Sequence, residues 1–248
     1  MTASPDRDEI PSGTGSRTTR GLGLACLLGF AVLAVFAFAL SPEDDVQRDA
    51  VRMLYVHVPV AFLTYVAFVV TAIGSVMWLW KRSVWWDIVA HSSAEAGVIF
   101  CGLTLFTGSV WGRPTWGTYW EWGDVRLVTT LILFLVYVGY LSVRSLGGDE
   151  DSVATRAAVV GLIGAVNLPI VNRSVDWWFN RTLHQQSSLT DGKLEDLTLF
   201  TMFFGLVVFS AIYVWMMIHR FRLGWLQRER RTLDLDKALV ARRAEAVR

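Results

Sequence analysis

The sequence predicts an all-α integral membrane protein with six transmembrane helices. Of its 248 residues, 53% are hydrophobic and only 18% are charged, and the mean hydropathy is +0.41. The apolar residues gather into six runs of about 20 residues, the length that a helix needs to cross the hydrocarbon core. The net charge of +1 does not point to nucleic acid. No Walker A phosphate loop occurs, which argues against ATP hydrolysis by this chain alone.

The first predicted helix follows a polar N-terminus, residues 1–20, which is rich in Ser, Thr, Asp and Arg and which we expect to be disordered. An apolar run covers residues 21–40. Arg17 and Arg20 precede this run, and Ala37, Phe38 and Ala39 end it, as in a cleaved signal peptide. Because the run is longer than a usual signal-peptide core and more apolar runs follow, we expect an uncleaved first helix.

Five further spans are predicted at 53–80, 94–110, 127–146, 154–171 and 197–219. The span 154–171, the fifth of the six, is the weakest, because Asn167 and Pro169 interrupt its end. The charged residues after the sixth span predict a short helix on the membrane surface. The chain therefore divides into a polar cytoplasmic N-terminus (1–20), a six-helix membrane domain (21–222) and a charged cytoplasmic tail (223–248).

An even number of spans places both termini on one side of the membrane. Lys and Arg are concentrated on that side, whereas acidic residues offset the arginines of the other side. By the positive-inside rule, both termini should be cytoplasmic. The loops between helices 1 and 2, 3 and 4, and 5 and 6 should then face outward.

The most unusual stretch is 111–130, WGRPTWGTYWEWGDVRLVTT, which falls in the predicted loop between helices 3 and 4. Its tryptophans stand among charged side chains. Large flat rings can hold a flat apolar ligand by stacking, while the charges hold its polar edge. The alternative is an aromatic belt at the membrane–water interface, where Trp is enriched.

Two histidines belong to the same predicted face. His57 lies at the outer end of helix 2, beside Pro59, where the helix should start or bend. His184 lies in the loop between helices 5 and 6. If a short helix forms after Ser174, Trp177 and His184 are seven residues apart and share its face. The alternative for both histidines is an interfacial position without a ligand.

The other candidate groups have plainer interpretations. His91 and His219 should lie at the cytoplasmic ends of helices 3 and 6, where a solvated histidine is expected. Glu95 could indicate an ion pathway, but its spacing from Ser92 favours a capping box at the start of helix 3. Both cysteines fall inside spans, so no disulfide is expected.

Two neutral imidazoles beside tryptophan clusters suit an iron porphyrin, in which histidine ligates the metal and apolar rings cover the macrocycle. Zinc would need a closer set of Cys and His ligands. No C-x-x-C-H motif occurs, so covalent attachment of haem is not expected. Candidate partners for the porphyrin propionates are Arg52, Arg113, Arg126, Arg173 and Arg181.

The stretch WGRPTWGTYWEWGDVRL resembles the tryptophan-rich signature of the haem-handling membrane proteins of cytochrome c maturation, most closely the CcmC family. The segments YVHVP and VNLPI…SVDWW…TLHQ resemble it as well. Departures are the extra Gly123, Tyr119 in place of a common tryptophan, and a longer interval before His184. The resemblance implies haem ligation by His57 and His184. It also implies a haem-binding surface made of Trp111, Trp116, Gly117, Trp120, Trp122, Asp124, Arg126, Trp177 and Trp178.

The resemblance implies a non-enzymatic carrier that presents haem b, bound non-covalently and transiently, at the outer face of the cytoplasmic membrane. It would deliver the haem to a membrane-anchored chaperone (CcmE-like) for c-type cytochrome biogenesis. Its implied partners form an ABC transporter complex: ATPase and permease subunits (CcmA- and CcmB-like) and a small membrane subunit (CcmD-like). Two alternatives remain, a b-type haem electron carrier and a small-solute permease, which favour deep histidine pairs and midplane charges respectively.

Overall fold

The computed structural model describes residues 13–184 and 196–246, and this part of the chain is almost entirely helical, with no β-sheet. Each of its six long helices is apolar enough to cross a membrane. The predicted fold class is therefore confirmed, and the protein is a multi-pass membrane protein. The helices are α1 (Arg17–Val35), α2 (Leu54–Lys81), α3 (Val84–Trp116), α4 (Val125–Arg144), α5 (Glu150–Trp177) and α6 (Asp196–Ala246).

Helix α3 is much longer than the predicted span 94–110. Ser92 and Glu95 lie well inside it, so the predicted capping box is wrong. Ser92 is buried, and Glu95 forms an ion pair with Arg220 of α6. The start of α3 was missed because its charged residues have partners on other helices, which the apolarity of a single segment cannot reveal.

Helix α5 also exceeds its predicted span, 154–171, and neither Asn167 nor Pro169 interrupts it. The side-chain amide of Asn167 donates a hydrogen bond to the carbonyl of Thr129 in α4, at 2.7 Å. A polar side chain is therefore satisfied inside the bundle. Proline is tolerated in a transmembrane helix because neighbouring helices and local adjustments compensate for the missing backbone hydrogen bond.

Helix α6 is a single helix of 51 residues. The residues after 222 are helical, as predicted, but they continue the sixth span without a break. The prediction of a separate surface helix is therefore wrong. Gly224 allows this continuation to pack closely on α3, since a Cβ atom there would lie 3.0 Å from Cγ2 of Ile88.

The core is built around α2, which packs against α3, α5 and α6. Phe68 of α2 stacks on Tyr137 of α4, with ring centroids 3.7 Å apart. Gly97 of α3 lies directly against the Phe68 ring, because a Cβ atom at this position would be only 2.5 Å from Phe68 Cε1. Such small residues let transmembrane helices approach closely.

The alternating helices give the bundle two ends. One end, which we call the terminal end, contains Thr14, His91 and His219. Thr14 hydrogen-bonds to Nδ1 of His219 at 2.7 Å, and His91 lies beside Glu95. At the opposite end, which we call the tryptophan end, the indole N–H of Trp111 donates to Gln47 at 2.9 Å. The candidate site is at the tryptophan end.

Candidate functional site

The tryptophan-rich stretch is divided between the end of α3, a short loop and the start of α4. Its first six residues, 111–116, are helical, so the prediction that the whole stretch forms a loop is wrong for this part. Gly117 ends α3 with φ of 81°, a left-handed conformation that glycine adopts without strain. Residues 118–123 form the loop, and Asp124 caps α4.

His57 lies in the first turn of α2, at the tryptophan end as predicted. Its Nδ1 atom is 3.0 Å from the hydroxyl oxygen of Thr107 in α3. Its ring is edge-on to Trp111, with centroids 5.6 Å apart. Gly108 permits this close packing, because a Cβ atom there would lie 2.9 Å from Cε1 of His57. The imidazole is thus held between α2 and α3.

The hydrogen bonds around Thr107 determine which nitrogen of His57 carries the proton. The Thr107 hydroxyl donates its single hydrogen to the carbonyl of Leu103, at 2.7 Å. Its oxygen must therefore accept from Nδ1 of His57. A neutral imidazole protonated at Nδ1 keeps the lone pair of Nε2 free, and this is the atom that can bind a metal.

His184 lies in a short irregular segment, 182–184, after a 3₁₀ turn. Its ring centroid is 4.8 Å from that of Trp116. Nδ1 is 3.8 Å from a carboxylate oxygen of Asp124, which is too long for a hydrogen bond, and it has no such partner among the described residues. Trp111 and Trp116, in the last turns of α3, contact His57 and His184 respectively, so both histidines lie at the same end of α3.

Asp124 joins the tryptophan loop to the segment that carries His184. Its carboxylate accepts hydrogen bonds from the backbone N–H groups of Leu127, at 2.9 Å, and Leu183, at 2.6 Å, and from the hydroxyl of Thr182 at 3.2 Å. Asp124 is only 2% exposed. Burial raises the pKa of this carboxyl, but the His184 imidazole and the two N–H groups outweigh burial and lower the pKa to about 2.

The pair Trp177 and Trp178 does not join the histidines. Helix α5 ends at Trp177, and the next residues form the 3₁₀ turn Phe179–Arg181. The predicted short helix, with Trp177 and His184 on one face, is therefore wrong. The two indoles pack edge-on against each other, 5.8 Å apart, and both are exposed.

Two tryptophans occupy the loop itself. Trp120 and Trp122 pack edge-on, with centroids 5.6 Å apart. Trp122 is 72% exposed, whereas Nε1 of Trp120 is buried and has no hydrogen-bond partner within the described residues. The loop thus presents one free indole face, supported by a second, half-buried ring.

The predicted propionate partners differ in how they are engaged. Arg126 donates to the carbonyl of Asn172, at 3.1 Å, and to the hydroxyl of Ser174, at 3.3 Å, which joins α4 to α5. Arg52 and Arg113 donate to nearby backbone carbonyls, and Arg173 pairs with Asp176. Arg181 is exposed beside the tryptophan loop.

The sequence profile of one protein family, CcmC, described as Heme exporter protein C, matches residues 11–236. The chain belongs to the CcmC family. It is 38% identical over 209 residues to the Heme exporter protein C of Bradyrhizobium diazoefficiens, covering 83% of this chain and 78% of the relative. For the Heme exporter protein C of Haemophilus influenzae the identity is 34% over 214 residues, 82% of each chain.

A third relative comes from a plant. The putative cytochrome c biosynthesis ccmC-like mitochondrial protein of Marchantia polymorpha is 38% identical over 169 residues, which cover 66% of this chain and 70% of the relative. The resemblance that the tryptophan signature indicated is thus confirmed at the level of the family.

Three residues of this CcmC-family site were not predicted: Thr107, Gly108 and Thr182. Thr107 and Gly108 precede Trp111 by one helical turn, so all three share a face of α3. That relation can be read from the sequence once α3 is known to continue through Trp116. Thr182 accepts from the backbone N–H of His184, at 3.2 Å, and no pattern in the sequence marks it.

We expect Asp124→Asn to loosen the segment 182–184. A neutral amide accepts weaker hydrogen bonds than a carboxylate, so local opening should become about tenfold more frequent. Trypsin cleavage after Arg181, followed by mass spectrometry of the membranes, measures this opening. Glu121→Gln is the control, because that exposed carboxylate accepts only from Gly123 of its own loop, at 3.0 Å. Equal cleavage of both variants would contradict the role of Asp124.

The pH dependence of this junction follows from the same carboxylate. Its pKa falls from an ordinary value of 3.8 to about 2 in the folded protein. The stabilisation is therefore fully present above pH 3.8 and is lost only as the pH falls through about 2. Hydrogen exchange at Leu183 should stay slow between neutral and mildly acidic pH.

Proposed function

We propose that the protein binds haem at the tryptophan end, on the outer face of the cytoplasmic membrane, and delivers it to a membrane-anchored haem chaperone (CcmE-like) for the maturation of c-type cytochromes. Membership of the CcmC family supports the class of function, since relatives are named for haem export and cytochrome c biosynthesis. The observation that carries the proposal is the orientation of His57, whose Nδ1 is engaged by Thr107 and whose Nε2 is free.

The donor set at the tryptophan end fits an iron porphyrin. Metal-bound histidines commonly donate their second ring N–H to a neighbouring oxygen, which fixes the tautomer and the ring. His57 has this arrangement with Thr107. His184 supplies a second imidazole beside Asp124. Trp111 and Trp116 lie edge-on or tilted against these imidazoles, and their rings offer apolar walls for a macrocycle.

Arg126 is the cation best placed for a propionate. Its contacts with Asn172 and Ser174 hold the guanidinium at the junction of α4 and α5. A guanidinium has five N–H donors, so these two contacts leave others for a carboxylate. Its electrostatic effect on His57 supports a position close to the same ligand.

Release of the cargo requires a site that is not fully enclosed. Trp122 is 72% exposed, and the two histidines lie at the end of the bundle rather than deep within it. One edge of a bound porphyrin would therefore stay accessible to a partner. Haem b held in this way, without the cysteines of a C-x-x-C-H motif, is bound non-covalently and can be passed on.

We propose that delivery takes place within an ABC-type complex of the inner membrane. The chain carries no Walker A phosphate loop, so energy from ATP would come from a CcmA-like ATPase acting with a CcmB-like permease and a small CcmD-like subunit. The protein itself is a carrier rather than an enzyme.

The orientation of the protein in the membrane can be tested by cysteine labelling. We expect Glu121→Cys in the tryptophan loop to react with an impermeant maleimide added to intact cells or spheroplasts. Ser145→Cys, at the terminal end, should react only after lysis. Both residues are exposed, and the natural cysteines, Cys26 and Cys101, are buried. The reverse pattern would place the site in the cytoplasm.

Ligation can be tested by haem retention. We expect His57→Ala and His184→Ala each to lower the haem that copurifies with the protein, because each removes an axial imidazole. Thr107→Val should cause a smaller loss, about tenfold in affinity, since it removes only the group that orients His57. Absorption spectra of the purified variants give the haem-to-protein ratio.

The matched controls for ligation are His91→Ala and His219→Ala, which change histidines at the terminal end. Both should retain haem at the wild-type ratio. Equal retention by all four alanine variants would mean that the histidines of the tryptophan end do not bind haem.

Haem transfer to the chaperone can be tested by changing the exposed Trp122. We expect Trp122→Ala to leave membrane abundance unchanged, because so exposed a ring contributes little to packing. Loss of a stacking ring weakens ligand binding by about 1 kcal/mol, a several-fold change in affinity. Haem bound to the chaperone should fall accordingly. Trp80→Ala, 75% exposed at the terminal end, is the control. If abundance falls with loading, Trp122 is an interfacial anchor.

A further inference from the structure

The terminal end contains a cavity of about 470 Å³ that the haem site does not use. It lies between α3, the start of α5 and α6. Part of its wall is apolar, with Trp78, Ile88 and Leu223 among the lining residues. The rest is charged, and the charged and titratable groups are Asp87, His91, Glu95, Arg144, Glu150, Arg220, Arg228 and Arg231.

Three ion pairs around this cavity join different helices. Arg144 of α4 donates two hydrogen bonds to Asp87 of α3, at 2.6 and 2.8 Å. Arg220 of α6 pairs with Glu95 of α3, and Arg228 of α6 pairs with Glu150 of α5. Each carboxylate is therefore already matched by one arginine.

Arg231 is the surplus cation. A carboxylate oxygen of Glu150 lies 3.9 Å from its guanidinium, and that carboxylate is already held by Arg228. The Arg231 side chain is 72% exposed, so it lies at the mouth of the cavity. Among the described lining residues, four arginines thus face three carboxylates and one histidine.

The cavity extends from the end of the bundle toward the membrane interior. Helix α3, with 33 residues, is about 50 Å long, which exceeds the hydrocarbon thickness of about 30 Å. Glu95 lies about 16 Å along this helix, so the inner wall reaches below the headgroup region. Arg231 lies about 16 Å beyond Arg220 along α6, farther from the centre of the bundle.

We propose that this cavity binds the phosphate headgroup of an anionic phospholipid from the surrounding leaflet. Basic pockets between transmembrane helices on the cytoplasmic side bind such headgroups. Arginine holds a phosphate with paired N–H donors. The volume suits a headgroup, and the apolar wall suits the first carbons of the chains. Glu150 competes with the phosphate for Arg228 and Arg231 and therefore weakens the binding of the anion.

The proposal can be tested by native mass spectrometry of the purified full-length protein. Micelles contain phosphatidylglycerol and phosphatidylcholine in equal amounts. We expect the wild type to retain phosphatidylglycerol in preference, and Arg231→Gln to reduce that preference about fivefold, the effect of one arginine near an anionic surface. Arg231→Gln leaves the Arg228–Glu150 pair intact, so folding is preserved.

Two further variants sharpen the test. Glu150→Gln removes the competing carboxylate and should raise the preference for phosphatidylglycerol. Arg230→Gln, on the same helix but outside the cavity, has the same change in charge as Arg231→Gln and should have no effect. Equal retention of both lipids by the wild type would overturn the proposal, as would equal losses in Arg230→Gln and Arg231→Gln. Displacement of the lipid by glycerol 3-phosphate alone would assign the site to a soluble phosphate instead.

Discussion

The buried carboxylate of Asp124 is the contact on which the tryptophan end depends. It caps α4 through Leu127 and holds Leu183 and Thr182 on the far side of the loop. These hydrogen bonds tie the segment that carries His184 to the start of α4, next to the loop that follows Trp116. Because several donors converge on it, the carboxylate stays ionised although it is almost fully buried. The position of a loop histidine is thereby tied to the start of a transmembrane helix.

The two histidines are held in different ways. His57 belongs to a helix, and Thr107 and Gly108 of a second helix fix its ring. His184 belongs to an irregular segment and is positioned by contacts with Trp116, Thr182 and Asp124. A rigidly held histidine paired with a less firmly held one would suit the proposed haem carrier, because the second histidine could move when haem leaves. A permanent b-type electron carrier would instead favour two ligands fixed deep between helices.

The sequence predicted much of this arrangement. Six apolar runs predicted the fold class, and the tryptophan signature with His57 predicted a candidate site at one end of the bundle. Predictions failed where a residue's partner lies on another element. Glu95 was assigned to a capping box because its actual partner, Arg220, is distant in the sequence. Trp111 and Trp116 were predicted to lie in a loop because Arg113 and Pro114 break the apolar pattern. In the structure Arg113 and Pro114 are part of α3. The helix predicted around Trp177 failed because the chain must turn there to bring Leu183 to Asp124.

The unbroken course of α6 has a mechanical consequence. Its 51 residues extend about 76 Å, more than twice the thickness of the hydrocarbon core. Near one extremity, Thr201 contacts Ser41 at the tryptophan end, and further along Tyr213 is joined to Ser93 of α3 at 2.7 Å. Farther along the same helix, Arg220 pairs with Glu95 of α3 and Arg228 with Glu150 of α5. Because one continuous helix is fastened at both ends of the bundle, α6 fixes the distance between the tryptophan end and the terminal end.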